Sequence, residues 1–273
     1  MRAFLVRHGQ SLANIHDRIC SLPETGTLPT EGLSDAGKQQ VQKSAEAIIA
    51  SLPSPTPRDA VIQITTSDFT RAYETASILR DSFVRNGFTA TNLAVDARLR
   101  ERNFGAQLEG KSGHDWYEKV WAQDALRIQF EGVETPESVA ERANSVVKEV
   151  VRKTAAYAFF VAHGDTLQIL QTQAKRNDSP VSCWDHRTLQ HLETAEIRET
   201  MYGRRPFESI APKLRGIWDS LLQGSSNSVG PKRSEFKFRY RNQTTALALY
   251  KRAGEREAFP SKICNETNVH ERE

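Results

Sequence analysis

Residues 3–9, Ala3-Phe4-Leu5-Val6-Arg7-His8-Gly9, and residues 158–164, Ala158-Phe159-Phe160-Val161-Ala162-His163-Gly164, follow one pattern. Each opens with an unbroken apolar run, which predicts a strand buried on both faces. Each then stops on His-Gly. A strand covered on both faces cannot run on into charge, so Arg7, His8 and His163 belong where the sheet meets solvent or a ligand. A third run, Val61-Ile62-Gln63-Ile64-Thr65-Thr66, leads into Ser67-Asp68 and a helix expected from about Phe69 to Phe83 that carries Arg71 near its start.

Helical spacing fills the gaps between these strands. Ser34 is a candidate N-cap for a helix whose apolar positions are Val41, Ala45, Ile48 and Leu52, ended by Pro53. Thr135-Pro136-Glu137 opens another, with Val139, Ala143, Val146 and Val150 as its buried stripe. A further helix is expected from Thr166 to about Lys175, and Leu192–Glu199 reads as a late strand. Strands alternating with helices predict an α/β fold, a three-layer α/β/α arrangement around a mostly parallel open sheet, over residues 1–205. Residues 206–273 form a C-terminal extension, with a flexible Gly224–Ser228 linker and a polar end expected to be disordered.

Net charge is +3, and the excess sits in the extension: residues 206–273 hold 12 Lys and Arg against 8 Asp and Glu. There Phe236-Lys237-Phe238-Arg239-Tyr240-Arg241 alternates aromatic and basic side chains. An amphipathic edge strand accounts for that alternation, and so small an excess argues against nucleic acid as a partner. No apolar stretch is long enough for a membrane helix, and the run after Met1 is too short for a signal peptide. The three cysteines, Cys20, Cys183 and Cys264, lie far apart without a paired spacing. A disulfide framework and a structural zinc are therefore not expected, and a cytoplasmic setting is.

In open α/β sheets ligands bind beyond the carboxyl ends of the strands. If the two His-Gly strands are neighbours, His8 and His163 face each other across one crevice, flanked by Arg7 and Arg71. The amides of helix N-termini, Gly164 among them, lie close by. That is a site for a dianion, most naturally a phosphoryl group. A neutral imidazole can attack phosphorus, and flanking guanidinium groups keep the ring deprotonated while neutralising the equatorial oxygens. The leaving alkoxide needs a proton, for which Glu101 in Arg100-Glu101-Arg102-Asn103-Phe104-Gly105 is placed. Each residue alone has a plainer reading: Arg71 as a solvated partner of Glu74, Glu101 as a surface ion pair, Asp165 as a helix cap.

Together, Arg7-His8-Gly9-Gln10-Ser11 with Asn14, Thr66-Ser67-Asp68 leading to Arg71-Ala72, Leu99 to Gly105, and His163-Gly164 resemble the histidine phosphatase superfamily, in its phosphoglycerate-mutase-like branch. The resemblance covers roughly residues 1–200. It implies that His8 is transiently phosphorylated, that Arg7, Arg71 and His163 complete the phosphate pocket with Asn14 assisting, and that Glu101 is the proton donor, with no metal and no other cofactor. Mutases of the family carry a long insertion with paired arginines between the Glu motif and the second His-Gly. Here His114–Glu134 holds only Lys119 and Arg127. Gly105–Lys111 is closer to the phosphatases, and Asp165 stands where mutases usually carry Asn; an extra carboxylate there is expected to disfavour a bulky anionic substrate. The reading is a metal-independent phosphatase acting on a small phosphorylated substrate. The alternatives are a phosphoglycerate mutase and a non-catalytic binding module of the same fold. Ile15–Glu31 and Gln107–Glu134 are expected to set the substrate, and the oligomeric state stays open.

Overall fold

The computed structural model describes residues 1–200 apart from 54–55, 58, 90, 153–155 and 175–180. The extension expected over 206–273, with its aromatic-basic alternation, lies outside the described residues. In chain order the elements are β1 (Arg2–Arg7), α1 (Leu12–Ile15), α2 (Pro23–Gly26), α3 (Asp35–Ser51), β2 (Ile62–Thr66), α4 (Thr70–Arg85), β3 (Thr91–Val95), α5 (Gly113–Ala125), α6 (Pro136–Arg152), β4 (Tyr157–Ala162), α7 (Gly164–Gln171) and β5 (Ile197–Thr200).

The five strands form one sheet in the order β3-β2-β4-β1-β5, parallel except for β5, which runs against β1. Alternation along each strand splits the core in two. Phe4, Val6, Ile62, Ile64, Phe159 and Val161 pack on one face against Ala45 and Ile48 of α3 and Ala72, Ala76, Leu79 and Phe83 of α4. Ala3, Leu5, Ala158, Phe160 and Ala162 pack on the other face against Ala143, Val146, Val147 and Val150 of α6 and Leu167 and Leu170 of α7. Each large apolar side chain so buried contributes about 1.5–3 kcal/mol. The three-layer α/β/α arrangement is present, and residues 3–6 of β1 and all of β4 are apolar because helices cover both faces.

Local signals act as expected. Ser34 Oγ accepts from the Gly37 amide at 3.0 Å, and Thr135 Oγ1 from the Ser138 amide at 3.3 Å. Glycine is required where α3 seats on the loop after β1: a Cβ on Gly37 would lie 2.0 Å from the Gln10 carbonyl oxygen. Several elements differ from the sequence reading: α5 was not anticipated, and α7 runs from Gly164 only to Gln171, short of the Lys175 expected. Strand β3 was not anticipated, because it is an edge strand with no fully buried residue. The late strand covers only Ile197–Thr200, since residues 193–196 turn, with Glu196 N donating to Glu193 O at 3.0 Å and Ala195 at φ 60°.

Candidate active site

Parallel pairing brings the ends of three strands to one edge of the sheet. Arg7 is level with Ala162, and Thr66 with Val161. The next residues continue the ladder: His8 N donates to Ala162 O at 3.1 Å, and Ser67 N to Val161 O at 3.0 Å. His8 and His163 are thereby neighbours, their ring centroids 5.1 Å apart. Phe69, at the start of α4, closes on His163 edge-on at 5.1 Å.

The protonation of His8 follows from its contacts. Nδ1 lies 2.7 Å from the Gly9 carbonyl oxygen, which can only accept, so Nδ1 carries the proton. Nε2 then holds the lone pair, and it accepts from Arg71 Nε at 3.2 Å. Burial first, then Arg71 and Arg7, holds the imidazole well below its ordinary value and therefore neutral. Arg71 is 3% exposed and not a solvated helix residue. Its Nη2 donates to the Cys20 carbonyl at 2.8 Å, while Glu74 accepts from the Leu33 amide at 2.7 Å.

Three buried polar atoms at this edge have no hydrogen-bond partner among the described residues: Arg7 Nε and both ring nitrogens of His163. Burial, followed by Arg71 and His8, keeps His163 neutral too. Orphaned buried donors and acceptors are rare and costly, at about 1–3 kcal/mol each. Two of the three are donors beside two guanidinium groups, Arg7 Nε and the one N–H of the neutral His163, the complement an anion would need.

Glu101 is not a surface ion pair. Its Oε1 accepts from Arg102 N at 2.9 Å, Thr166 N at 3.1 Å and Thr166 Oγ1 at 3.2 Å. The adjacent arginines point elsewhere, Arg100 Nε to Asp68 at 2.8 Å and Arg102 Nη2 to Asp124 at 2.8 Å. Burial, then the charge of Asp165, raises the Glu101 carboxyl above its ordinary value, as a proton donor needs. A cleft of about 550 Å³, bordered also by Ser21, Asn103 and Glu134, opens beside it. Arg142 holds this loop from behind, donating to the carbonyls of Arg98 (2.8 Å), Arg100 (2.8 Å) and Glu101 (3.1 Å) and to Glu134.

Asp165 does not cap α7. It accepts from Trp121 Nε1 at 3.0 Å and Arg102 Nη1 at 3.2 Å, and His186 Nε2 lies 3.4 Å away. Burial would raise this carboxyl, but His186, Arg102 and Arg187 outweigh it and hold the group well below the usual range. These partners balance its charge from their side, while on the other side it still raises the Glu101 carboxyl. Asn14 is exposed and engaged locally: its Oδ1 accepts from Ser11 N and Ser11 Oγ, both at 3.0 Å, in the capping box of α1. No hydrogen bond joins it to His8, Arg7 or Arg71 among the described residues. Gly164 opens α7 with Arg7 Cζ close by.

Sequence reasoning missed Asp124, Arg142 and His191, lone polar residues in unremarkable surroundings whose partners lie far along the chain. Among the described residues no three His, Cys, Asp or Glu side chains converge as a metal site, and no helix is long and apolar enough to cross a membrane.

The family model of the histidine phosphatase superfamily (branch 1) matches residues 3–207. Among solved structures, a mycobacterial glucosyl-3-phosphoglycerate phosphatase in complex with VO3 is 25% identical, with 72% of this chain and 91% of that one covered at a TM-score of 0.54. Mycobacterial hydrolase 1 is 23% identical, with 72% and 87% covered at a TM-score of 0.55. A phosphoglycerate mutase from Bacillus anthracis is 16% identical, with 77% and 92% covered at a TM-score of 0.54. The last two speak to the fold alone. No curated protein matches the chain.

Proposed function

The chain belongs to the histidine phosphatase superfamily (branch 1), and on that premise we propose that it hydrolyses small phosphate monoesters without a metal, through a phosphohistidine on His8. The observation that carries the reading is the pocket itself. A neutral His8 with its lone pair on Nε2 stands beside Arg71, Arg7 and His163, and two unpartnered buried donors there, Arg7 Nε and the one N–H of the neutral His163, suit an anion.

In the first step the Nε2 lone pair attacks phosphorus and a P–N bond forms. The P–O ester bond breaks, and Glu101 passes its proton to the departing alkoxide. In the second step water attacks the phosphohistidine and gives its proton to the Glu101 carboxylate. The P–N bond breaks, inorganic phosphate leaves, and His8 regains its lone pair. Arg7 and Arg71 balance the charge spread over the equatorial oxygens, as a metal does elsewhere. Asn14 and the Gly164 amide complete the substrate contacts in this reading. A cytoplasmic setting, with no membrane or nucleic-acid partner, goes with a small soluble substrate.

A mutase would have to hold a second anionic group of the substrate. The cations of the connecting segment are already engaged: Arg127 pairs with Asp185 at 2.6 Å, and the Lys119 ammonium lies 4.3 Å from the Trp116 ring centroid. The 25% identical neighbour is described as a phosphatase, which favours the same side. A binding module has no need of an aligned nucleophile and acid. The test is a panel of phosphate esters in EDTA, reading free phosphate and conversion of 3-phosphoglycerate to 2-phosphoglycerate, with His8→Ala alongside. Phosphate release that survives EDTA and disappears in the variant is expected. Isomerisation with little release would establish the mutase, and silence on both would leave the binding module.

A further inference from the structure

The Arg7 guanidinium is aimed from behind. Its Nη1 donates to His191 Nε2 at 2.6 Å and to the Leu192 carbonyl at 2.7 Å. Arginine only donates, so His191 Nε2 is the bare nitrogen of that ring. The far side of the imidazole explains why. His191 Nδ1 lies 3.0 Å from Gln168 Oε1, and that amide has one sensible orientation. Its Nε2 donates to the Leu189 carbonyl at 2.9 Å, and its Oε1 accepts from Arg187 at 2.6 Å. An oxygen therefore faces His191, Nδ1 carries the proton, and the hydrogens run in one direction: Arg7 to His191, His191 to Gln168, Gln168 to Leu189. Burial first, then Arg7 and Arg187, holds His191 down to about 3, so it does not turn into a second cation against Arg7. The close approach depends on Gly164, where a Cβ would stand 3.3 Å from His191 Cε1 and 3.4 Å from Arg7 Cζ.

We propose that His191, with its proton fixed by Gln168, is a positioning residue that locks the plane of Arg7 and leaves the unpartnered Nε edge to the phosphoryl group. This rests on the phosphoryl-binding reading of the pocket. His191 touches no substrate and acts only through Arg7. A guanidinium binds an oxyanion best when its donors are fixed in plane before the ligand arrives. The Leu192 carbonyl alone holds one Nη1 hydrogen and lets the group turn.

Orthovanadate binding to the full chain, measured by calorimetry with a thermal melt for each variant, tests this. His191→Leu should bind vanadate roughly tenfold more weakly and lose kcat/KM in parallel while still melting cooperatively. His191→Gln, which can present an acceptor oxygen to Arg7, should recover most of the affinity. Gln168→Leu should lose part of it, and the ¹⁵N shifts of His191 should show its proton no longer confined to Nδ1. Binding by His191→Leu equal to that of the parent chain would overturn the positioning role while leaving the pocket reading intact. If the leucine variant does not fold, the ¹⁵N spectrum of the parent decides: a His191 proton on Nε2 refutes the proposal. Absence of vanadate binding by the parent chain would instead remove the pocket reading, and this proposal with it.

Discussion

Replacing Arg102 with Met should destabilise the protein in a way that acid partly repairs. Arg102 and Asp124 are both 0% exposed. The guanidinium meets Asp124 at 2.6 and 2.8 Å, Asp165 at 3.2 Å and the Glu134 carbonyl at 2.7 Å. Without it two carboxylates stay inside, with His186 at 3.4 and 4.0 Å and, for Asp165, the charge of Arg187 as what basic company remains. Stripping a buried charge of its partner costs about 3–5 kcal/mol, a large share of the roughly 5–15 kcal/mol that holds a domain folded. Asp124→Asn should cost less, about 1.5–3 kcal/mol, because Arg102 keeps Asp165. The pH dependence supplies the sign. In the native protein Asp165 sits below its unfolded value, so its contribution is present above the ordinary carboxylate range and is lost as pH falls beneath it. In Arg102→Met burial, already the largest influence on Asp165, is less opposed and raises it instead. The folded state then binds more protons than the unfolded chain, and stability rises as pH falls. Urea unfolding followed by tryptophan fluorescence at pH 7.5 and 5.5 should show the gap to the native protein narrowing by about 1.4 kcal/mol per pH unit for each extra proton bound. A gap that is the same at both pH values, or Asp124→Asn proving the costlier change, would refute this account of the charge cluster.

The opposed shifts of His8 and Glu101 set the pH profile. Because His8 is pushed down, kcat/KM should hold well below pH 6.5, and because Glu101 is pushed up, it should fall as pH rises through the raised carboxyl; a maximum near pH 9 would contradict both assignments. Glu101→Gln should slow alkyl phosphates by about 10²–10⁴-fold and abolish the basic limb, yet slow p-nitrophenyl phosphate far less, since that leaving group departs without a proton. Equal losses on the two substrates would take the acid role from Glu101. Arg142→Leu, which frees three carbonyls and Glu134, should cost about 1.5–3 kcal/mol in urea unfolding and lower kcat more than it raises KM, with Arg142→Lys restoring only part. His8→Ala should fail to take up label from a ³²P-phosphate ester, and labelling that persists would place the nucleophile elsewhere.

The two His-Gly strands were legible because they are covered on both faces, so composition alone marks them. Strand β3 was not, because an edge strand with half-exposed Thr91 and Leu93 carries little apolar signal. Helix α5 was missed for a related reason. Its apolar residues Tyr117 and Val120 join a small satellite cluster with Ile19, Phe104 and Leu108 in place of either face of the sheet. In the site, what sits at a strand end was readable, since the ends of parallel strands must converge. What holds those residues was hidden: Arg7 and His191 are 184 positions apart, and nothing local marks either as the other's partner. Asp165 was visible but its partners were not, because its pairing with Arg102 and its approach to His186 exist only in three dimensions.

On the proposed mechanism, the bond from Arg71 Nε to His8 Nε2 makes the nucleophile conditional. At rest the lone pair that must attack phosphorus is tethered by the residue that greets the substrate. A neutral electrophile offers that guanidinium nothing better and finds the imidazole already engaged. A phosphate dianion is a stronger acceptor, and as it draws the Arg71 hydrogen to itself it releases the ring. On that mechanism recognition and arming are a single event.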